Sequence, residues 1–346
     1  MMKIAVISDT HFGVRNDSPL FLEYSFKFFD QIFFPYLKEH GIDTVIHMGD
    51  LLDRRKFVNF NTLSQVKRRF FGPMKEMGIK LHCIPGNHDV YWKNTNDLNS
   101  LKELFHHDIH LYEEPTTVEF DGCSMLFMPW INKENEEACI LALDSSTSPV
   151  LVGHLELDGY EVLRGVKHHG GMGDKILEKF DLVLSGHFHC RHKQGNVWYL
   201  GTQYDLSFAD VHEHKGFHVF DTATQGIEFV ENPYKMYHKL YYNDTETDYS
   251  GLKCDKYRDT YLRIVVTRKR NETAFTGLCE SLIAAGVANL SIVEEYAEET
   301  TEESRVDISK GTLELINDAI DEIQLDVNKE KLKNTIRELY VDSLSL

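Results

Sequence analysis

Paired cysteines are missing from this chain. Its six cysteines stand at 83, 123, 139, 190, 254 and 279 with no CxxC pair. That argues against a zinc-cysteine site and, in a chain this large, against a disulfide framework. They read as small buried side chains. Long apolar runs are missing too: nothing approaches the roughly 18 residues of a membrane-spanning helix, so no membrane association is expected. The opening MMKIAVISDTHFG has a short apolar run, but it leads into Asp9 and His11 rather than a small-residue cleavage site. It reads as a first buried strand, and the protein as cytoplasmic. Positive charge is scarce, with 37 Lys and Arg against 55 Asp and Glu and a net charge of −18. Phosphate affinity comes largely from Lys and Arg, so strong unaided binding to a polyanion is not expected. Local basic clusters survive at Arg54-Arg55-Lys56, Lys67-Arg68-Arg69 and Arg268-Lys269-Arg270. A nucleic-acid substrate would need those patches and help from a partner.

What is present is an ordinary globular composition, 42% hydrophobic and 27% charged, with length for two domains. From 1 to 230, short β-branched runs (KIAVIS, DTVIHM, IKLHCIP, CSMLFMP, SPVLVG, FDLVLSG) alternate with segments near 20–40, 60–77 and 132–143 that read as helices. Strand then helix, repeated, predicts an α/β core with substantially buried sheets. VWYLGT, GFHVFDT and GIEFVEN read as closing antiparallel strands. A second, smaller domain is expected over 231–296. It begins with a Tyr-rich connector (231–256) and continues as a β-α-β unit (257–296). Residues 297–308 read as an acidic linker and 309–346 as a helical hairpin, with Leu313, Ile316, Ile320 and Ile323 on one stripe. The aromatic-rich helix at 20–40 has two readings, a homodimer face or core packing.

Five apolar runs end in the same way, with a ligand-type residue right after the strand: Asp9-Thr10-His11, Gly49-Asp50, Gly86-Asn87-His88-Asp89, Gly153-His154 and Gly186-His187-Phe188-His189. In open α/β sheets the site lies beyond the carboxyl ends of the strands, so these ends can converge in one cleft. Carboxylate, amide oxygen and imidazole without thiolate favour manganese, iron or zinc over a soft metal. One such residue alone is commonplace, since an Asp after a strand is often an N-cap. The recurrence carries the argument. Two cations bridged by one carboxylate suit phosphoester hydrolysis, and Asp50 is the natural bridge. His88 suits an outer role, holding the scissile phosphate or protonating the leaving oxygen. Asp89 would orient that histidine or cap the next helix. His168 and His169, in a Gly-rich stretch, read as loop or substrate-facing residues rather than ligands.

The series DTH…GDLLD…GNHD…GH…GHFH resembles the calcineurin-like metallophosphoesterase superfamily. Within it, HFG after Asp9-Thr10, GDLLDRRK, GHLELDG and the strand ending in Pro129-Trp130 resemble the SbcD-type DNA double-strand-break nuclease subunits and their T-even bacteriophage equivalents. The resemblance implies a two-sheet sandwich flanked by helices, a small α+β cap that binds DNA and a C-terminal helical hairpin. It implies that Asp9, His11, Asp50 and His189 hold one manganese, that Asp50, Asn87, His154 and His187 hold the other, and that His88 is catalytic. Magnesium or another divalent metal could stand in. It further implies 3′-to-5′ exonuclease action on duplex DNA, endonuclease action on single strands, a homodimer, and an SbcC-type coiled-coil ABC ATPase docked on the hairpin. If the chain is phage-encoded, its cytoplasm is a host bacterium's. Some relatives carry a histidine where this chain has Asp53. Here Asp53 would brace the loop, with Arg54 and Arg55 either contacting backbone phosphates or lying on an exposed face. The alternatives are a phosphoprotein phosphatase or cyclic-nucleotide phosphodiesterase on the same core, or a scaffold without catalysis.

Overall fold

The structure is a computed structural model that describes residues 2–295 together with Ile320, Lys329, Leu332, Lys333 and Ile336. The linker at 297–308 and most of the hairpin at 309–346 lie outside the described residues. The chain divides into two units, Met1–Leu206 with His212–Tyr234, and Ser207–Val211 with Lys235–Leu346.

The larger unit holds two six-stranded sheets. The first comprises β1 (Lys3–Ile7), β2 (Thr44–His47), β3 (Lys80–Cys83), β4 (His110–Leu111), β13 (Gly216–Asp221) and β14 (Ile227–Glu231), in the order β14-β13-β1-β2-β3-β4. The second comprises β5 (Thr116–Phe120), β6 (Cys123–Met128), β7 (Val150–Gly153), β10 (Leu182–Ser185), β11 (His192–Gln194) and β12 (Val197–Tyr199), in the order β11-β12-β10-β7-β6-β5. A short hairpin, β8 (Glu161–Leu163) with β9 (Val166–Lys167), stands between β7 and β10. β1, β2 and β3 run parallel, as do β6, β7 and β10. One core cluster joins Ile4, Val6 and Ile46 of the first sheet, with Ile84 just after β3, to Phe127, Val150, Val152 and Leu184 of the second. The molecule's larger unit is therefore a sheet-on-sheet sandwich. Strands covered on both faces need no polar alternation, which is why β2, β7 and β10 read as continuous apolar runs. VWYLGT differs from the sequence expectation: β12 lies parallel to β10, and only its pairing with β11 is antiparallel.

The 20–40 segment is helix Pro19–Phe28, a π-turn at Phe29–Phe33 and helix Phe34–His40, closed by Gly41 in the left-handed region. Phe21, Phe26, Phe28, Phe29 and Phe33 are all at most 1% exposed. Of the two readings of this helix, the structure supports core packing and not a dimer face. The π-turns here and at Lys67–Phe71 both sit just before a proline, Pro35 or Pro73, where the missing N–H lets the ladder slip register.

The smaller unit contains the all-parallel sheet β15 (Tyr237–Asn243), β16 (Tyr261–Arg268) and β17 (Asn289–Glu294), with helix Glu272–Ala284 on one face. The stretch read as a connector thus supplies a strand. Leu240 and Tyr242 share the face of β15 that meets the helix, while Tyr241 between them is 54% exposed.

A pH dependence follows from His218 on β13, which is 1% exposed. Burial first, then the Arg191 guanidinium, pushes its pKa from 6.5 down to about 3. The fold holds this imidazole neutral, while the unfolded chain protonates it below 6.5. Its penalty is therefore absent above pH 6.5 and grows as pH falls toward 3. Wild type should lose about 2 kcal/mol more stability between pH 7 and 5 than His218→Phe, measured by urea unfolding.

Candidate metal centre

The parallel strands deliver the ligand-type residues to one place. β1, β2 and β3 of one sheet and β7 and β10 of the other all end there, at Asp9, Asp50, Asn87, His154 and His187. The turns after β1 and β2 are zipped together by Asp9 N to Gly49 O (2.9 Å), His11 N to Asp50 O (3.1 Å) and Phe12 N to Leu51 O (2.9 Å). Asp9, His11, Asp50 and His187 adopt φ of 53°, 42°, 57° and 83°. Left-handed backbone at non-glycine residues costs about 1–3 kcal/mol each and persists where the surroundings over-determine it.

Two half-sites result. Asp9, His11 and His189 bring ligand atoms within 4.8 Å of one another, and so do Asp50, His154 and His187. His11 Nε2 is 3.0 Å from His189 Nε2. Asn87 Oδ1 lies 2.9 Å from His154 Nε2 and 2.8 Å from His187 Nδ1, which adds it to the second half-site. Asp50 stands between them: its Oδ2 is 3.8 Å from His11 Nε2 and 3.4 Å from His154 Nε2. Asp9, His11, Asp50 and His154 form a buried floor, and Asn87, His88, His187 and His189 a partly open rim.

The electrostatics are those of a site short of positive charge. Burial, opposed by His154 and reinforced by Asp50, pushes Asp9 up to about 7. At Asp50 burial raises the pKa, but His154, His88 and His11 together hold it well below the carboxylate range. His154 is buried too, yet Asp50 and Asp9 lift it to about 9. Burial and then His154 push His187 down to about 3. Burial followed by His88 and His189 holds His11 well below 6.5, and its Nδ1 is buried without a hydrogen-bond partner. Converging lone pairs and carboxylates, crowded out of water, fit a pair of divalent cations.

Neighbouring groups fix the orientation. His154 Nδ1 donates to Met48 O at 2.7 Å, which leaves Nε2 facing the site. His88 Nδ1 donates to Asp53 O at 2.6 Å, and His88 N donates to Asp50 Oδ1 at 2.7 Å. The Asp53 carboxylate lies 3.6 Å from His11 Nδ1, and His11, Asp53 and His88 form a third cluster that the sequence did not single out. Asp89 accepts from Asp50 N (2.7 Å), Gly86 N (2.9 Å) and Leu51 N (3.1 Å). It therefore braces the ligand loops, while the His88 ring is held by Asp53 O. Arg54 pairs with Asp17 at 3.3 Å and hydrogen-bonds Asn16, tying it to the turn after His11. Arg55 is near enough to Asp50 for the two charges to interact. His168 pairs with Glu156 at 3.0 Å and joins neither half-site.

Gly86 is required by space. A Cβ there would sit 2.2 Å from Asp50 Oδ1 and 2.7 Å from His154 Cε1. Gly86→Ala should destabilise the fold by about 3 kcal/mol, read by chemical denaturation, and should weaken metal binding in parallel.

The calcineurin-like phosphoesterase family model matches residues 2–191. The chain is 31% identical over 346 residues, 99% of each chain, to "Exonuclease subunit 1" of Enterobacteria phage T4. It is 30% identical over 148 residues, 42% of this chain and 38% of the relative, to "DNA double-strand break repair protein Mre11" of Saccharolobus solfataricus. Among solved structures, an archaeal phosphodiesterase is 14% identical with a TM-score of 0.32, covering 67% of this chain and 100% of that one.

Proposed function

The chain belongs to the calcineurin-like phosphoesterase family and is a metal-dependent phosphodiesterase, and from that premise we propose that it is a manganese-dependent DNA nuclease of DNA end processing, recombination and repair. The observation that carries the chemistry is Asp50, 3.8 Å from His11 Nε2 on one side and 3.4 Å from His154 Nε2 on the other. Relatives named as an exonuclease subunit and a double-strand-break repair protein supply the substrate class.

Asp9, His11, Asp50 and His189 would hold one cation, and Asp50, Asn87, His154 and His187 the other. When bound, the pair supplies an activated water and charge stabilisation for the attacking and leaving oxygens. Water adds to phosphorus, the bond to the leaving sugar oxygen breaks, and that oxygen takes a proton. His88 would serve the last step as an imidazolium: Nδ1–H is committed to Asp53 O, and the second proton, on Nε2, goes to the phosphate or the leaving oxygen. Arg55 offsets charge beside Asp50 as the phosphate enters. The polarity we propose is 3′ to 5′ on duplex ends, with endonuclease action on single strands.

The word "subunit" in the phage relative's name fits a protein that works with another chain. We take that chain to be an SbcC-type coiled-coil ABC ATPase, bound through 309–346, with catalysis in the cytoplasm. Among the described residues no helix is long and apolar enough to cross a membrane. We place the homodimer face at Phe57, Phe60 and Leu98, which are 64%, 86% and 41% exposed, Phe57 and Leu98 lining a groove of about 190 Å³. In the smaller unit, exposed Arg268 and Arg270 are the DNA-facing candidates, since Lys269 is paired with Glu272 and Glu294.

Linear duplex DNA incubated with the protein and manganese tests the reading. Degradation that quickens with the ATPase and ATP is expected. Intact DNA beside rapid hydrolysis of a phosphopeptide or cyclic nucleotide would replace the nuclease with a phosphatase or phosphodiesterase of small substrates.

A further inference from the structure

Trp130 is outside the ligand set yet packs on two of its members. Its ring centroid lies 6.0 Å from that of His154 and 5.3 Å from that of His187. Those imidazoles are themselves 5.2 Å apart, so the indole touches both histidines of the Asp50 half-site. In the other half-site, His11 instead meets His88 and His189 edge-on.

The two histidines are oriented by different means. A metal-ligating histidine usually donates its second ring nitrogen to a carbonyl or carboxylate, which fixes the ring plane. His154 does so through Nδ1 and Met48 O. His187 does not: its one side-chain hydrogen bond is from Nδ1 to Asn87 Oδ1, inside the half-site itself. Rotation of an imidazole about Cβ–Cγ is soft, so something else must set its plane. Trp130 lies against it on one contact, tilted by 43°, and Phe188 on another, 5.0 Å away and tilted by 35°.

Trp130 is built in as a fixed wall. Its N–H donates to Pro85 O at 2.9 Å. Its carbonyl accepts from Asn96 Nδ2 and Asn135 Nδ2, each at 3.0 Å. Asn132 Nδ2 closes the network on Asn96 Oδ1 at 2.9 Å. The residue is thereby clamped between the turn after β3 and the turn after β6. Its indole Nε1, by contrast, is buried with no partner, although a buried indole N–H ordinarily finds one. The polar contacts hold the backbone where it places the ring; the ring's own polar atom adds nothing.

We propose that Trp130 is a positioning residue for the second cation: ring packing, in place of a hydrogen bond, sets the plane of His187. This rests on the reading that the two half-sites each hold a divalent cation. Calorimetric titration of the full chain with Mn(II) tests it without recourse to turnover. Wild type should bind two equivalents. Trp130→Leu should weaken one equivalent by about 10-fold, in line with the loss of an outer-shell support, and leave the other unchanged. Trp130→Phe, which keeps a ring in place, should restore most of that loss. Asn96→Ala, which loosens the clamp and leaves the ring, should weaken the same equivalent by a smaller factor, and it serves if the leucine variant fails to fold. Equal weakening of both equivalents, unchanged affinities in these variants, or a phenylalanine variant as weak as leucine would overturn the assignment. A wild-type chain that binds fewer than two cations would instead overturn the two-cation reading beneath it.

Discussion

His88→Ala should slow DNA hydrolysis by about 10³-fold, the typical contribution of a positioned acid or base, while both manganese equivalents still bind. The separation follows from geometry. The His88 ring is anchored to Asp53 O, outside either half-site, and only its backbone N–H meets Asp50. Alanine keeps that backbone donor, so the bridging carboxylate keeps its partner. Single-turnover cleavage of a labelled duplex, run beside calorimetric metal titration, checks both halves. Loss of a metal equivalent in this variant would make His88 a ligand; undiminished cleavage would remove it from the chemistry.

Asp50→Asn should be the more severe change. The carboxylate is 1% exposed and lies within 4 Å of an imidazole nitrogen of each half-site. An amide of the same shape can still accept from His88 N but contributes no charge. Losing several kcal/mol of charge stabilisation at about 1.4 kcal/mol per decade predicts a fall of at least about 10³-fold in cleavage. Stability gives a second readout. A ligand at 100 times its Kd stabilises the native state by about 2.7 kcal/mol, so two sites give about 5 kcal/mol. Wild type should gain that on adding manganese and lose it to a chelator, as followed by thermal melting. The asparagine variant should melt at the same temperature in both. A normal manganese-induced rise in the variant would show that Asp50 does not bridge.

Arg54 and Arg55 adjoin in sequence but have different surroundings. Either could have been read as a phosphate contact, since composition distinguishes nothing between neighbours. The turn at Arg15, Asn16 and Asp17, all left-handed, presents acceptors to Arg54 and so occupies it. Asp89 is a similar case. Its place in GNHD allowed a cap or a partner for His88. Three backbone donors from the Asp50 and Gly86 turns claim it, Ser100 Oγ at the start of the next helix adds a fourth contact at 3.3 Å, and burial with Asp50's proximity lifts it to about 6. The strand at Tyr237–Asn243 was hidden for a different reason. Of its residues Leu240 and Tyr242 join the helix's core cluster, and the polar residues and exposed Tyr241 around them match a surface connector equally well.

The chain's own order of residues determined the α/β alternation, the buried strands and the ligand chemistry at their ends, because period and residue type act within one segment. It could say that His187 and His189, two apart, reach one cavity. The resemblance assigned each to a half-site, but what brings each to its neighbours there is tertiary structure. Two sheets had to meet face to face before Asp9, about 180 residues upstream, could claim one histidine and Asn87 the other. Trp130 belongs to the same class. Its sequence marks it only as the end of a strand resembling a family's, not as a neighbour of ligand residues, since His154 and His187 arrive from other strands of the folded sandwich. Local periodicity encodes which atoms are buried, and only packing between distant segments selects what they are buried against.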